Sequence, residues 1–176
     1  NYAALKFFIY TLVGSVLMLI AMLALYWRDP ALPTFNMLSL VGMSGTPLFS
    51  GPFMMWIFVA MFAAFAVKVP VFPFHTWLPD AHVQAPTAFS VMLAGVMLKM
   101  GGYGFFRLAY PLCPEAATHP IFVYGVGTLG LIGLLYGAFV ALGQSDFKSL
   151  VAYSSVSHMG YVMLGMAALT PAAMTG

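Results

Sequence analysis

The sequence predicts an all-α protein, a polytopic transmembrane helix bundle. Three observations predict it. Ten of 176 residues carry a formal charge (6 Lys+Arg, 4 Asp+Glu), or 6%, where soluble domains average about 25%. Hydrophobic side chains make up 62% of the chain and the mean hydropathy is +0.98. A soluble fold of this size has too little interior to hide that much apolar surface. The apolar residues also come in continuous runs close to the ~20 residues a spanning helix needs, not in the ~10-residue alternating segments of an outer-membrane barrel.

The runs give about five spans. The first, about 7–27, holds no charge between Lys6 and Arg28. Residues 30–50 read as a loop, with Pro33, Asn36, Gly42, Gly45 and Pro47. The second span, 51–78, has Lys68 in its path and Pro70 and Pro73 beyond it. Those prolines cannot bond back to the carbonyls of Ala66 and Val69, and their rings clash with the preceding turn, so the helix is expected to break there. Trp77 to His82 reads as an interfacial turn. A third helix, 86–110, opens on Pro86, which suits a first turn, and carries Lys99. Pro111, Pro114, Glu115 and Pro120 mark the next loop. The fourth span, 121–142, is uncharged, and the fifth, 146–170, carries Lys148 and His158.

The composition excludes a soluble enzyme domain. It also excludes a nucleic-acid binder, because six scattered basic residues form no patch or stripe. One cysteine, Cys113, excludes an internal disulfide framework and a Cys-based zinc or iron–sulfur site. The pI of 8.8 reflects a small difference between small counts. The chain begins at Asn1 without a signal-peptide pattern and stops soon after Thr170-Pro171, so residues 1–176 read as a single transmembrane region, a fragment of a larger subunit. Lys6 and Lys148 fall on one side and Arg28 and Arg107 on the other, which leaves the orientation open.

Gly125-Val-Gly127-Thr-Leu-Gly130 matches the dinucleotide fingerprint, but that fingerprint needs a strand before it and a helix after it. Inside an uncharged run, Gly130, Gly133 and Gly137 read instead as small residues for close helix approach, Gly133 and Gly137 forming a G-x-x-x-G.

The chemistry is expected at the buried cations. A lysine at membrane depth costs about 2.5–3.5 kcal/mol on insertion scales, so Lys68 and Lys99 call for a function. Each could snorkel to the headgroups or pair with a buried carboxylate. No carboxylate lies inside the five spans, so such a partner would belong to sequence outside the fragment. A buried lysine has its charged form disfavoured and can exchange a proton as neighbouring charges change. Lys68 beside a broken helix is the sort of site that lines an ion path. Both ammonium groups are expected to point into the bundle. Lys148, Ser155 and His158 fall near one helical face, which serves either proton transfer or helix–helix hydrogen bonding. His75 and His82, seven apart around Asp80, do not have a zinc spacing and read as interfacial histidines bonding to backbone.

These residues carry a family resemblance. The run Phe65-Ala-Val-Lys68-Val-Pro70-Val-Phe-Pro73-Phe-His75-Thr-Trp-Leu-Pro79-Asp80-Ala-His82-Val-Gln-Ala-Pro86 resembles the signature of the antiporter-like subunits of respiratory complex I, an NADH-quinone oxidoreductase. Leu93 to Gly104, with Lys99, is similar to the subunit M (chain 4) group within this proton-conducting transporter family. Ser145 to Gly160, with Lys148 and His158, continues the likeness, which runs from about Lys6 to Leu169. The resemblance implies a fold of inverted repeats, each with a broken helix, of which this chain supplies part. It implies proton-relay roles for Lys68, Lys99 and His158, to which the reading of the residues adds Lys148, His75 and Ser155 as further candidates. It implies a proton-translocating role driven by redox chemistry in other subunits. This chain then has no redox site and no cofactor of its own, with FMN, iron–sulfur clusters and quinone on other subunits. The partners implied are other membrane subunits of complex I, including neighbouring antiporter-like ones, and the lipid bilayer. The implied location is the bacterial plasma membrane, with the mitochondrial inner membrane as the alternative. Rival readings are an Mrp-type cation/proton antiporter subunit, the equivalent subunit of a membrane hydrogenase or a photosynthetic ferredoxin-linked complex, and a structural scaffold, which has no use for two buried lysines.

Overall fold

The computed structural model describes residues 2–30 and 33–169. Among them every regular element is helical. Helix α1 is Tyr2–Tyr26, α2 is Met37–Met43, α3 is Pro52–Lys68 and α4 is Trp77–Gln84. Helix α5 runs Thr87–Leu112, followed by α6 (Pro114–Thr118), α7 (Pro120–Leu142) and α8 (Phe147–Ala168). Helices α1, α5 and α7 are long and apolar enough to cross a membrane, and α3 is apolar but shorter, at 17 residues. Helix α8 spans 22 residues. Thr170, where the sequence reading ends the last span, lies outside the described residues.

Local chemistry explains the ends. Asn36 caps α2 by accepting from the Leu38 amide at 3.0 Å, which turns part of the expected 30–50 loop into helix. Gly51 leads into α3 at φ 71°, a conformation that favours glycine, and Pro52 follows in the first turn. The Gly51 amide also donates to the Glu115 carboxylate at 3.2 Å, which ties this entrance to α6. Asp146 caps α8 by accepting from the Ser149 amide at 3.0 Å.

Helix α5 is not regular throughout. Leu93–Met97 and Phe105–Ala109 are π turns, in which amides reach back five residues instead of four.

The helices pack as two layers around the break. Helix α1 lies along α3, with Gly14 against Ala64 and Val67. Helices α7 and α8 form the closest pair in the fold. A Cβ on Gly160 would come within 2.6 Å of the Leu134 amide nitrogen, and one on Gly137 within 2.7 Å of the Ser157 nitrogen. Gly130 is similarly tight against Met163, whereas Gly133 has nothing within 4 Å and borders a void of about 10 Å³. The close seam is therefore Gly130 and Gly137 on α7 against Gly160 on α8, two turns apart on one face, and not the Gly133–Gly137 pair. The fingerprint glycines lie wholly inside α7. Half-helix α4 sits between α1 and α8, and α3 packs on the middle of α5. The core joins these layers through Phe58, Met61, Phe65, Trp77, Leu93, Leu98 and Phe105.

Candidate site at a broken helix

The second span is interrupted between Lys68 and Trp77. Regular bonding persists to Val69, whose amide reaches Phe65 at 2.8 Å. Pro70 has no N–H to offer Ala66. The Val71 amide takes that carbonyl instead, at 2.9 Å. Val67, left without its usual donor, accepts from the Trp77 indole Nε1–H at 2.9 Å. The Phe72–Pro73 peptide is cis. Each carbonyl freed by Pro70 thus finds a donor, which a break inside a membrane requires.

Lys68 is the last residue of α3, where a cation opposes the helix dipole. It is half-buried. A Cβ on Gly101 would lie 3.2 Å from its Cβ and 2.6 Å from Val69 Cγ2, so only glycine lets α5 approach the break this closely. Gly104 makes the same concession to the Phe65 ring. Among the described residues the Lys68 ammonium has no hydrogen-bond or ion-pair partner.

Lys99 lies on the exposed side of α5, and its Nζ donates to the Ala94 carbonyl at 2.7 Å. The π turn makes this bond available, because the Leu98 amide goes to Leu93 instead. His158 is exposed on α8. Two contacts relate these helices directly, and a third ties the start of α8 to Ala85, two residues ahead of α5. Lys148 meets Ala85, Gly102 faces Val162, and the Tyr110 hydroxyl donates to Met166. Helices α5 and α8 therefore run parallel, and the register places Lys99 level with His158. The expectation that the lysines point inward holds for neither fully: Lys68 is half-buried, and Lys99, with His158, faces outward from the described bundle. The inner faces are already filled, by Leu98, Gly101, Gly102 and Phe105 on α5 and by Val156, Met159, Gly160 and Met163 on α8.

The polar face of α8 divides. Ser155 donates to the Val151 carbonyl of its own helix at 3.0 Å. Ser157 donates across to Leu134 on α7 at 3.0 Å. Lys148 donates to the Ala85 carbonyl, also at 3.0 Å. Two of these groups serve helix–helix bonding.

The histidines differ from their sequence reading. His75 and His82 are 3% and 2% exposed, and neither bonds to backbone among the described residues. The His75 ring stacks on Phe72 and meets Tyr136 edge-on at 5.0 Å, with Tyr153 nearby at 6.4 Å. His82 Nδ1 pairs with the Ser90 hydroxyl. His75 Nδ1 and His82 Nε2 have no hydrogen-bond partner among the described residues. Such groups are costly to bury unless a partner or water meets them.

Sequence reasoning missed the ion pair at this site. Lys6 Nζ lies 2.7 Å from Asp80 Oδ2. The residues are 74 positions apart, and no periodicity relates positions so distant.

The region thus holds a break, a half-buried cation beside it, a second cation on the abutting helix and two buried histidines, each with one ring nitrogen unpartnered among the described residues. The family described as NADH:quinone oxidoreductase/Mrp antiporter, transmembrane, matches residues 1–176. The chain belongs to this family. Among relatives of the antiporter family, NADH-quinone oxidoreductase subunit M of Rickettsia prowazekii is 49% identical over 175 residues, covering 99% of this chain and 34% of that protein. The chain thus spans about a third of the length of the curated relatives it matches. A chain of respiratory complex I from Thermus thermophilus with bound NADH superposes with TM-score 0.87 at 36% identity, over 98% of this chain and 35% of that one. The Mrp complex from Dietzia shares the fold, with TM-score 0.81 at 24% identity, over 99% of this chain and 31% of that one.

Proposed function

We propose that this chain forms part of a proton-translocating membrane subunit of an NADH:quinone oxidoreductase. Lys68, Lys99 and His158 are its relay groups, and His75, Lys148 and Ser155 stand beside them. The observation that carries the reading is the placement of Lys68 at a proline-broken helix, with glycines bringing the Lys99 helix against the break. The half-buried Lys68 ammonium lacks a counter-charge among the described residues, so a charge arriving nearby acts on it without competition from a fixed partner. Lys99 and His158 share one depth on neighbouring parallel helices and face outward. A charge facing lipid at that depth is costly, so the reading has further protein of the same assembly cover this side.

In this reading NADH oxidation takes place elsewhere in the complex, and FMN, iron–sulfur clusters and quinone reside on other subunits. The partners are the other membrane subunits, antiporter-like ones among them. The membrane is the bacterial plasma membrane, in line with the bacterial relatives.

Lys99→Ala tests it. Removing an ammonium that bonds only to its own helix leaves the fold standing. It removes a titratable group from the line. Proton translocation in membrane vesicles, normalised to assembled complex, is expected to fall about a hundredfold or more, the lower end of the span known for a lost proton-transfer group. Lys99→Arg is not expected to restore it, because guanidinium does not release its proton at accessible pH. Normal pumping by Lys99→Ala defeats the relay role. Cation-driven proton exchange without NADH would favour an Mrp-type antiporter, the second reading that the shared fold supports.

A further inference from the structure

Half-helix α4 resumes the chain after the break, carries His82 and borders His75. Eight residues make a marginal helix alone, so neighbours must set its pose. Three long-range bonds do so. Trp77 reaches back to Val67 on α3. Lys148 of α8 donates to the Ala85 carbonyl just past the C-terminal end of α4, where carbonyls lack intrahelical partners and a cation is favoured. Lys6 of α1 binds Asp80, in the first turn of α4, at 2.7 Å. Two contacts extend that last seam: the Tyr10 and Thr76 hydroxyls meet at 3.2 Å, and the Phe7 ring packs on Trp77 at 5.2 Å between centroids.

We infer that Lys6 and Asp80 are a positioning pair for proton transfer. Their ion pair fixes α4 against α1, and so fixes where His75, in the break, and His82, on α4, stand. This rests on the proton-translocating reading above. The pair is partly exposed, at 20% and 40% of its side-chain surface, so it adds little to global stability. Its worth lies in geometry. Of the described charged residues that α4 meets, Asp80 carries the one carboxylate, and Lys6 and Lys148 are the cations. Losing Lys6 leaves the half-helix tethered by Trp77 and Lys148 and by the Phe7 and Tyr10 contacts at its N-terminal end, and removes the charged tie that α1 makes to its first turn.

The experiment uses the full-length subunit in assembled complex in membrane vesicles. Four variants are compared: Lys6→Met, Asp80→Asn, Lys6→Arg, and the swap Lys6→Asp with Asp80→Lys. One readout is protons translocated per NADH oxidised. The other is amide hydrogen exchange over residues 77–85. The single neutral variants are expected to lower the proton yield about threefold, the scale of a partly exposed pair, and to speed exchange in that segment. Lys6→Arg and the swap are expected to restore both. Exchange and yield both unchanged in Lys6→Met overturn the inference. Faster exchange with an unchanged yield also overturns it, since the pair is then structural only. Lys99→Ala run alongside separates the two proposals. If that variant pumps normally, the proton reading fails, and the positioning role falls with it whatever the exchange shows. If Lys99→Ala loses pumping while Lys6→Met does not, the pair alone is overturned.

Discussion

Trp77 shows what a single side chain contributes where the backbone fails. It is 1% exposed, and its indole supplies the hydrogen bond that Pro70 and Val71 leave missing at Val67. The sequence placed Trp77 in an interfacial turn, because the partner carbonyl lies ten residues back across the break and no spacing rule reaches it. Trp77→Phe keeps most of the ring volume and deletes the donor. Leaving the Val67 carbonyl unpaired in a buried site is expected to cost about 1–3 kcal/mol. The measurement is the heat-inactivation midpoint of the assembled complex, which should fall. An unchanged midpoint would mean that water or another group already meets that carbonyl. His75 and His82 were misread for a related reason: a histidine's burial depends on Tyr136, Tyr153 and Ser90, which come from three other parts of the chain.

Among elements, the tightest pairing is α7 with α8. The sequence announces small residues on α7 and pairs Gly133 with Gly137, but Gly130, Gly133 and Gly137 all fall within two turns, and Gly133 meets open space. The backbone of α8 decides which of them form the seam. Gly160→Ala would drive a methyl to 2.6 Å from the Leu134 nitrogen and 2.8 Å from the Gly130 oxygen. Both are backbone atoms, so the helices must separate. The expected cost is about 1–3 kcal/mol or more, as for other overpacked interiors. Gly133→Ala meets open space and should be neutral or slightly stabilising. The amount of assembled complex and its melting point distinguish the two. Equal effects at both positions would refute the seam. The break in the second span was legible, because proline chemistry is local. The short helix α2 was not, since its signal is one capping asparagine among turn formers.

Across the whole molecule, Lys68, Lys99 and His158 were legible as unusual and not as arranged. Their relation comes from the parallel course of α5 and α8 and from the approach of α5 to the break, both products of topology. If the two lysines serve one path in series, removing both should do no more harm than removing one. Proton translocation by the double variant Lys68→Ala/Lys99→Ala should match that of the worse single variant, at equal assembly. Losses that multiply would place them on separate paths. The Lys6–Asp80 and Lys148–Ala85 bonds belong to this scale too, for they close the bundle over spans of 74 and 63 residues.

The π turn at Leu93–Met97 has an angular consequence. Residues of an α-helix advance by about 100° each, so with Leu93 facing the core a regular helix would carry Lys99 roughly 120° round to one flank. The widened turn instead lets Leu93 and Leu98, five apart, both face the core, at 1% and 0% exposure. Counted from Leu98, Lys99 then falls about 100° round on the opposite flank. Gly102 lies on that flank too, about 40° from the Leu98 direction, and it is the residue that looks toward Val162. The extra residue in this turn thus rotates Lys99 out of the half of space away from α8 and into the half that His158 occupies.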